Sequence, residues 1–203
     1  MEQGKKIILL AGPTASGKSK LAIKLAQYFN GEIINADSMQ IYKEFSIITS
    51  KPNLQDTKII RHHLYGFNPV KKKFSTGHWL QMAINKIEEQ WKDGKTPIVV
   101  GGSGLYFKAL TDGLVKIPDI PNNLRTIVRR QHKKVGQKVF FKSLIKLDPL
   151  AKSFILPSDS QRSMRAYEVK KFTNKSLFEL IKGTKSNFNN SVFKKLFINT
   201  PKE

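Results

Sequence analysis

A glycine-rich segment near the start of the sequence has the residues of a phosphate-binding loop. It reads Gly12-Pro13-Thr14-Ala15-Ser16-Gly17-Lys18-Ser19 and matches the spacing G-x-x-x-x-G-K-[S/T]. In such a loop the main-chain N–H groups surround a phosphate chain, the lysine neutralises phosphate oxygens, and the last hydroxyl can bind Mg²⁺. The segment therefore predicts a polyphosphate site, which suits a diphosphate ester as well as a nucleoside triphosphate.

Asp37 is the second candidate for chemistry, because it follows a short apolar segment, residues 32–36, that predicts a strand. Open α/β sheets bind their ligands at the carboxyl ends of the strands. A carboxylate at that edge can bind magnesium or accept a proton from an attacking nucleophile. Asp is also a common cap of helices and turns, so Asp37 taken alone leaves a structural role open.

A second glycine cluster, Gly-Gly-Ser-Gly at residues 101–104, follows another apolar segment and predicts a close backbone approach at the same edge. The adjacent pair His62 and His63 could suggest a metal site. Neighbouring residues on a strand point to opposite faces, however, and this favours structural roles for both histidines.

These residues must be positioned by strands and helices that alternate along the first half of the chain. A strand, a glycine-rich turn and a helix occur twice, which predicts an α/β fold with a doubly wound parallel sheet flanked by helices. The predicted strands are residues 6–11, 32–36 and 97–100, and the predicted helices are residues 18–29, 76–93 and 105–110.

After Gly113 the sequence changes to polar segments that are dense in lysine and arginine and punctuated by proline. Helical patterns at residues 122–134, 138–147 and 159–172 predict a basic helical insertion. Within the last of these, Gln161, Arg162 and Arg165 share a helix face and suit contacts with phosphates or a solvated charged surface. A strand-like pattern returns at residues 192–198. We therefore expect a core at residues 1–114, an insertion at 115–185 and a return strand within 186–203.

The composition narrows the range of partners. The chain has 203 residues, 39% of them hydrophobic, no cysteine, and 36 Lys+Arg against 15 Asp+Glu, for a formal net charge of +21. Such a charge favours nucleic acid as a partner, although lysine can also accumulate on a solvated surface without a ligand. The apolar run at residues 7–11 is too short for a signal or a membrane span. We expect a cytoplasmic protein without a membrane partner.

The ordered motifs resemble those of the tRNA dimethylallyltransferase (IPP transferase) family. The similar segments are residues 12–19, 35–42, 51–53, 62–64, 101–110 and 159–169. Because they occur in the family's order over most of the chain, the resemblance is more specific than any single motif. It implies a P-loop NTPase-like sheet with a helical insertion that grips the anticodon stem of tRNA.

The resemblance also implies a reaction. Dimethylallyl diphosphate would lie in the P-loop with Mg²⁺ nearby, and the N6 amine of the adenosine 3′ of the anticodon would attack it and form N6-isopentenyladenosine. Asp37, Lys18 and Ser19 would be catalytic, with Ser19 as the metal ligand, and the enzyme would act as a monomer. The implied tRNA contacts are Asp37, Ser38, Met39, Gln40, Ser103, Arg125, Gln161, Arg162, Ser163, Met164 and Arg165.

Departures from the family pattern keep alternatives open. Ser103 stands where the family usually has Thr, and Tyr65-Gly66 stand where an acidic residue is common. The family's chains also continue well beyond the position of Glu203, so the sequence is expected to lack a C-terminal part. The alternatives are a P-loop nucleotide or small-molecule kinase and a catalytically impaired RNA-binding fragment.

Overall fold

The computed structural model describes residues 4–45 and 47–199. These residues form two compact units. The core unit contains the residues up to 113 together with those from 186 onward, and the helical unit contains residues 114–185. Within the described residues, none of the helices combines the length and the apolar character needed to cross a membrane.

The core unit is built on a five-stranded sheet in the order β3-β2-β4-β1-β5, and every paired strand in it is parallel. The predicted α/β class with a P-loop NTPase-like parallel sheet is therefore confirmed. The strands are β1 (Ile7–Ala11), β2 (Gly31–Asn35), β3 (His62–His63), β4 (Thr96–Gly101) and β5 (Phe193–Phe197). The helices of this unit are α1 (Lys18–Tyr28), α2 (Leu54–Ile59), α3 (Thr76–Lys92) and α4 (Gly104–Asp112), with a short 3-10 turn at Asn190–Val192.

Burial explains why these strands are continuous apolar runs. Helices cover the central strands, so residues on both faces of β2 and β4 are removed from water. On one face, Ala22 and Ala26 of α1 pack against Leu10 and Ile98. Helix α3 contributes Trp79, which is completely buried. The packing fixes the carboxyl ends of β1, β2 and β4 side by side, which is where the sequence motifs lie.

The helical unit consists of α5 (Asn122–Leu147), a 3-10 turn at Pro149–Ser153, α6 (Ser160–Thr173) and α7 (Leu177–Lys182). Helix α5 is interrupted at Gly136, whose φ of 75° is not helical. The two predicted segments on either side of this glycine are therefore present, joined across a kink. Leu144 and Ala166 belong to the buried cluster that holds the unit together.

The periodicity of apolar residues did not predict two short helices, α2 and α7. Helix α2 starts with a capping box formed by Asn53 and Asp56, and α7 starts with another formed by Ser176 and Glu179. The capping-box spacing is visible in the sequence and could have located both helices. Each has six residues, too few to show a 3.6-residue period.

Candidate active site

The P-loop connects β1 to α1 and closes with Gly17, which lies in the left-handed region at φ 80° and caps the helix. The first helical residue is Lys18, so the lysine ammonium and the free N–H groups of α1 face the same loop. The Lys18 ammonium donates hydrogen bonds to the Pro13 carbonyl and to the Ser16 hydroxyl. The local structure has the parts of an anion site, and the binding of a phosphate there stays a prediction.

Opposing effects act on the charge of Lys18. Partial burial lowers the pKa of its ammonium, and the nearby Asp37 carboxylate acts in the opposite direction. The next residue, Ser19, is exposed in the first turn of α1, where its hydroxyl is open to a ligand.

Asp37 lies just beyond β2 and is partly exposed. Its Oδ1 accepts a hydrogen bond of 2.9 Å from the Met39 N–H, which orients the carboxylate. Its main chain is held by Asn35: the Asp37 N–H donates to Asn35 Oδ1 at 2.8 Å, and Asn35 Nδ2 donates to the Asp37 carbonyl at 3.0 Å. The second carboxylate oxygen, Oδ2, faces the glycine-rich turn after β4.

Gly102 connects the two halves of the site. A β-carbon at this position would lie 3.7 Å from the Gly12 carbonyl oxygen and 3.8 Å from Asp37 Oδ2. The turn at residue 102 therefore lies close to both the start of the P-loop and the carboxylate. This arrangement brings a phosphate-binding loop and a proton acceptor to the same edge of the sheet.

Ser103 ties the same turn to the Asp37 loop. Its hydroxyl accepts a hydrogen bond of 2.9 Å from the Ser38 N–H and lies 3.2 Å from the Ser38 hydroxyl. Its own N–H donates to the Ala36 carbonyl at 3.1 Å. The Ser103 hydroxyl therefore holds the loop in place, and its contact with tRNA stays a prediction.

Met39 and Gln40 continue the segment after Asp37. The Met39 side chain is half exposed. Gln40 Nε2 donates to the Thr49 carbonyl at 2.6 Å and to the Ser50 carbonyl at 3.3 Å. The Gln40 side chain therefore organises the following loop, while Met39 offers an apolar surface.

The charge of Asp37 acts on two tyrosine side chains, Tyr65 and Tyr106. Burial, followed by the charges of Tyr42 and Asp37, raises the pKa of Tyr106 to about 12. Burial and the charge of Asp37 also raise the pKa of Tyr65 well above its ordinary range. Tyr106 stacks on Trp79 with ring centroids 4.3 Å apart. Both phenols therefore stay neutral at physiological pH.

The two adjacent histidines have different partners. His62 Nδ1 lies 2.8 Å from the Ile60 carbonyl, and burial lowers its pKa. His63 Nε2 lies 2.6 Å from Glu32 Oε2. Across residues 4–45 and 47–199 there is no group of three or more His, Cys, Asp or Glu side chains that could hold a metal.

The helical unit brings part of the predicted basic face together. Arg125, Gln161 and Arg165 line one concavity, and their neighbours in its lining are Arg129, Met164 and Glu168. Arg125 Nε is buried there, and nothing in the described part of the chain accepts its hydrogen bond.

Two predicted residues of this face lie apart from the concavity. Arg162 is outside its lining, with a largely exposed side chain 3.5 Å from Asp159, because residues i and i+1 on a helix point in different directions, and its contact with tRNA stays a prediction. Ser163 is completely buried, and its hydroxyl donates to the Asp159 carbonyl at 2.6 Å and accepts from Gln137. The Ser163 side chain is therefore part of the interior of the unit.

Comparison with known proteins places these features in a family. The model of the family described as IPP transferase matches residues 40–203. The tRNA dimethylallyltransferase of Pelagibacter ubique (strain HTCC1062) is 56% identical over 203 residues, which is 100% of this chain and 65% of the relative. The tRNA dimethylallyltransferase of Rickettsia bellii (strain OSU 85-389) is 49% identical over 176 residues, which is 87% of this chain and 56% of the relative. The chain thus spans less than two thirds of the length of these relatives.

Solved structures show the same likeness. A eukaryotic dimethylallyltransferase acting on tRNA superposes with a TM-score of 0.80 and 32% identity, covering 96% of this chain and 48% of that one. The full-length tRNA isopentenylpyrophosphate transferase of Bacillus halodurans gives a TM-score of 0.55 and 32% identity, covering 84% of this chain and 57% of that one.

Proposed function

The chain belongs to the IPP transferase family, and on this premise we propose that it transfers a dimethylallyl group from dimethylallyl diphosphate to tRNA. The acceptor is the N6 amine of the adenosine 3′ of the anticodon. The observation that carries the proposal is the closeness of the turn at Gly102 to both the Gly12 carbonyl and Asp37 Oδ2, which puts the start of the P-loop and the carboxylate at one edge of the sheet. The diphosphate binds at the P-loop and the amine arrives beside Asp37.

The residues of the site match the charge changes of the reaction. The new bond joins the N6 nitrogen to the allylic carbon, and the bond between that carbon and the diphosphate oxygen breaks. Lys18 and the N–H groups at the start of α1 stabilise the charge that grows on the leaving diphosphate. Asp37 accepts the proton that the amine loses, as a general base.

The residues present fit a magnesium ion bound jointly with the diphosphate. Mg²⁺ prefers oxygen ligands and is commonly held by one or two protein groups together with substrate phosphates. The exposed Ser19 hydroxyl offers a neutral oxygen at the P-loop, and Asp37 lies nearby. The ion would neutralise charge on the diphosphate when both are bound.

We assign tRNA contacts to both units. In the core unit they are the segment Asp37, Ser38, Met39 and Gln40, together with Ser103. In the helical unit Arg125, Gln161, Met164 and Arg165 line a concavity that suits the phosphates of the anticodon stem. The net charge of +21 supports a polyanionic partner. An anticodon loop is single-stranded, so its bases can turn into a pocket at low free-energy cost.

The direct test uses the 203-residue chain, dimethylallyl diphosphate, Mg²⁺ and tRNA, followed by mass analysis of the tRNA nucleosides. Prenylated adenosine that requires both dimethylallyl diphosphate and the protein supports the proposal. Binding of tRNA without any modified adenosine supports the impaired RNA-binding fragment instead. Phosphorylation of a small molecule by ATP would favour the kinase, which the names of the relatives do not support. We expect the active species to be a cytoplasmic monomer, and sedimentation of the protein tests the monomer.

A further inference from the structure

Asn35 is a completely buried polar residue that the reaction scheme above does not use. Its carboxamide makes three hydrogen bonds, two with the main chain of Asp37 and one from Nδ2 to the Leu64 carbonyl at 3.0 Å. Burying an amide is unfavourable unless its polar atoms are paired, so a hydrocarbon side chain would be the simpler choice for the core alone. The buried Asn35 carboxamide is therefore expected to have a role other than filling the core.

The first reason lies in the two bonds to Asp37. Asn35 Oδ1 accepts from the Asp37 N–H, and Asn35 Nδ2 donates to the Asp37 carbonyl, so both polar groups of the Asp37 backbone are fixed by one side chain. Asp37 Oδ1 is in turn held by the Met39 N–H at 2.9 Å. With the backbone and Oδ1 fixed, the direction of Oδ2 towards Gly102 is determined. This is the oxygen that the proposed reaction needs free for a proton.

The second reason lies in the bond to Leu64. Leu64 has a φ of 63°, in the left-handed region, which is unfavourable for a residue with a side chain and persists only where the surroundings impose it. Asn35 helps to impose this left-handed conformation, because its Nδ2 donates a hydrogen bond to the Leu64 carbonyl. The next residue is Tyr65, whose pKa is raised by burial and by the Asp37 charge. The same carboxamide thus holds both the backbone of Asp37 and that of the residue before Tyr65.

The main chain of Asn35 is itself anchored. The Trp79 indole N–H, which is also buried, donates to the Asn35 carbonyl at 2.7 Å. Asn35 therefore joins β2, the turn after β3 and helix α3 at a single point, two residues before the reacting carboxylate.

We propose that Asn35 is a positioning residue that holds Asp37 in the orientation required for proton transfer. The inference rests on the proposed function, because it takes Asp37 as the base. The simpler interpretation is that Asn35 is a buried asparagine that only donates hydrogen bonds to nearby carbonyls. Asn68 is a matched control for this interpretation. It is 3% exposed, and its Nδ2 donates to the Pro69 carbonyl at 3.1 Å and the Lys72 carbonyl at 2.9 Å.

The experiment compares Asn35→Ala, Asn35→Asp and Asn68→Ala in the 203-residue chain. Amide hydrogen exchange measured by NMR reports the Asp37 N–H, with the Ile33 N–H, which donates to the Arg61 carbonyl, as an internal reference. Initial rates of prenyl transfer give kcat and the KM values for both substrates. Should Asn35→Ala fold poorly, Asn35→Asp keeps the size and the Oδ1 acceptor while removing the two donated hydrogen bonds.

In Asn35→Ala we expect exchange of the Asp37 amide to become at least tenfold faster while the Ile33 amide stays protected. In both Asn35 variants we expect kcat to fall by about tenfold to a hundredfold, with both KM values changed by less than about threefold, because the misplaced group acts in the transition state. Asn68→Ala should lower the melting temperature but leave kcat unchanged.

Unchanged exchange of the Asp37 amide in Asn35→Ala would overturn the inference whatever the activity. Faster exchange with an unchanged kcat would also overturn it, and so would an equal loss of kcat in Asn68→Ala, since the effect would then be general destabilisation. A wild-type chain that forms no prenylated adenosine would contradict the proposed function and the catalytic part of this inference. The exchange data would still decide whether Asn35 holds Asp37.

Discussion

Gly101 packs so closely on Ala36 that a β-carbon at residue 101 would lie 2.2 Å from both the carbonyl carbon and the carbonyl oxygen of Ala36. The same β-carbon would lie 2.7 Å from the Asp37 nitrogen. The end of β4 therefore sets the position of the backbone that carries the carboxylate. Any side chain at residue 101 must push this backbone away.

We therefore expect Gly101→Ala to lower the free energy of unfolding by about 1–3 kcal/mol, the usual effect of overpacking, and to reduce prenyl transfer strongly. Urea unfolding and initial rates measure the two effects. Gly104→Ala is the control, because a β-carbon at the start of α4 meets nothing within 4 Å. Equal stability of the Gly101 and Gly104 variants would show that the contact with Ala36 is not as close as described.

Lys18→Ala should weaken binding of dimethylallyl diphosphate and slow transfer, because the ammonium lies among the P-loop groups that face the phosphates. Isothermal titration with the diphosphate and initial transfer rates measure the two effects. Lys20→Ala removes the same charge from an exposed position on the same helix and serves as the control. A Lys18 variant that matches the Lys20 variant in both measurements would exclude Lys18 from the diphosphate site.

Asp37→Asn should leave tRNA binding nearly unchanged and slow transfer by about a hundredfold or more, the scale expected for loss of a general base. The amide keeps the size of the carboxylate and can still accept from the Met39 N–H, so the loop should persist. Filter binding of tRNA and single-turnover transfer separate the two steps. Unchanged turnover would reject Asp37 as the base.

The sequence predicted the parts of this site whose chemistry is local. The P-loop spacing, the position of Asp37 after a strand and the second glycine cluster each follow from a few consecutive residues. The parallel sheet follows from the alternation of buried strands and amphipathic helices, and α1, α3 and β4 lie within a few residues of their predicted bounds.

The sequence could not predict the contacts that join distant segments. The bond from Asn35 to the Leu64 carbonyl spans 29 residues, and the indole N–H of Trp79 reaches the Asn35 carbonyl from 44 residues away. Local periodicity contains no information on such pairs. The environment of the α6 residues shows the same limit. Spacing within one helix could not show that Ser163 is covered by Gln137 of α5.

Glu32 gives the core unit a pH dependence. Glu32 is 6% exposed, and its carboxylate contacts His63 Nε2 at 2.6 Å and the Lys95 ammonium. Burial alone raises the pKa of the carboxyl, but the hydrogen bonds and charges of Lys95 and His63 together lower it by more. Because the folded pKa lies below the unfolded value of about 4.3, this stabilisation is present above the unfolded pKa. It is lost as the pH falls through the folded pKa.

Glu32→Gln should therefore destabilise the protein by about 1.5–3 kcal/mol at neutral pH, the range for hydrogen bonds to charged groups. The difference from wild type should shrink as the pH falls from about 5 towards the folded pKa. Urea unfolding at a series of pH values measures this difference in the free energy of unfolding. Glu88→Gln makes the same charge change at an exposed position of α3. A difference that stays constant with pH would contradict the ion pairs at Glu32.

Arg125→Ala should weaken tRNA binding by a similar factor for every tRNA sequence, because a guanidinium in a basic concavity contacts phosphates rather than bases. Loss of one phosphate contact should reduce the slope of log affinity against log salt by about 1. Filter binding across a salt series measures both quantities. Lys92→Ala, an exposed lysine at the end of α3 in the core unit, removes the same charge and should leave the slope unchanged. If the two variants lower the slope equally, the tRNA responds to net charge, and the concavity at Arg125 is not its binding site.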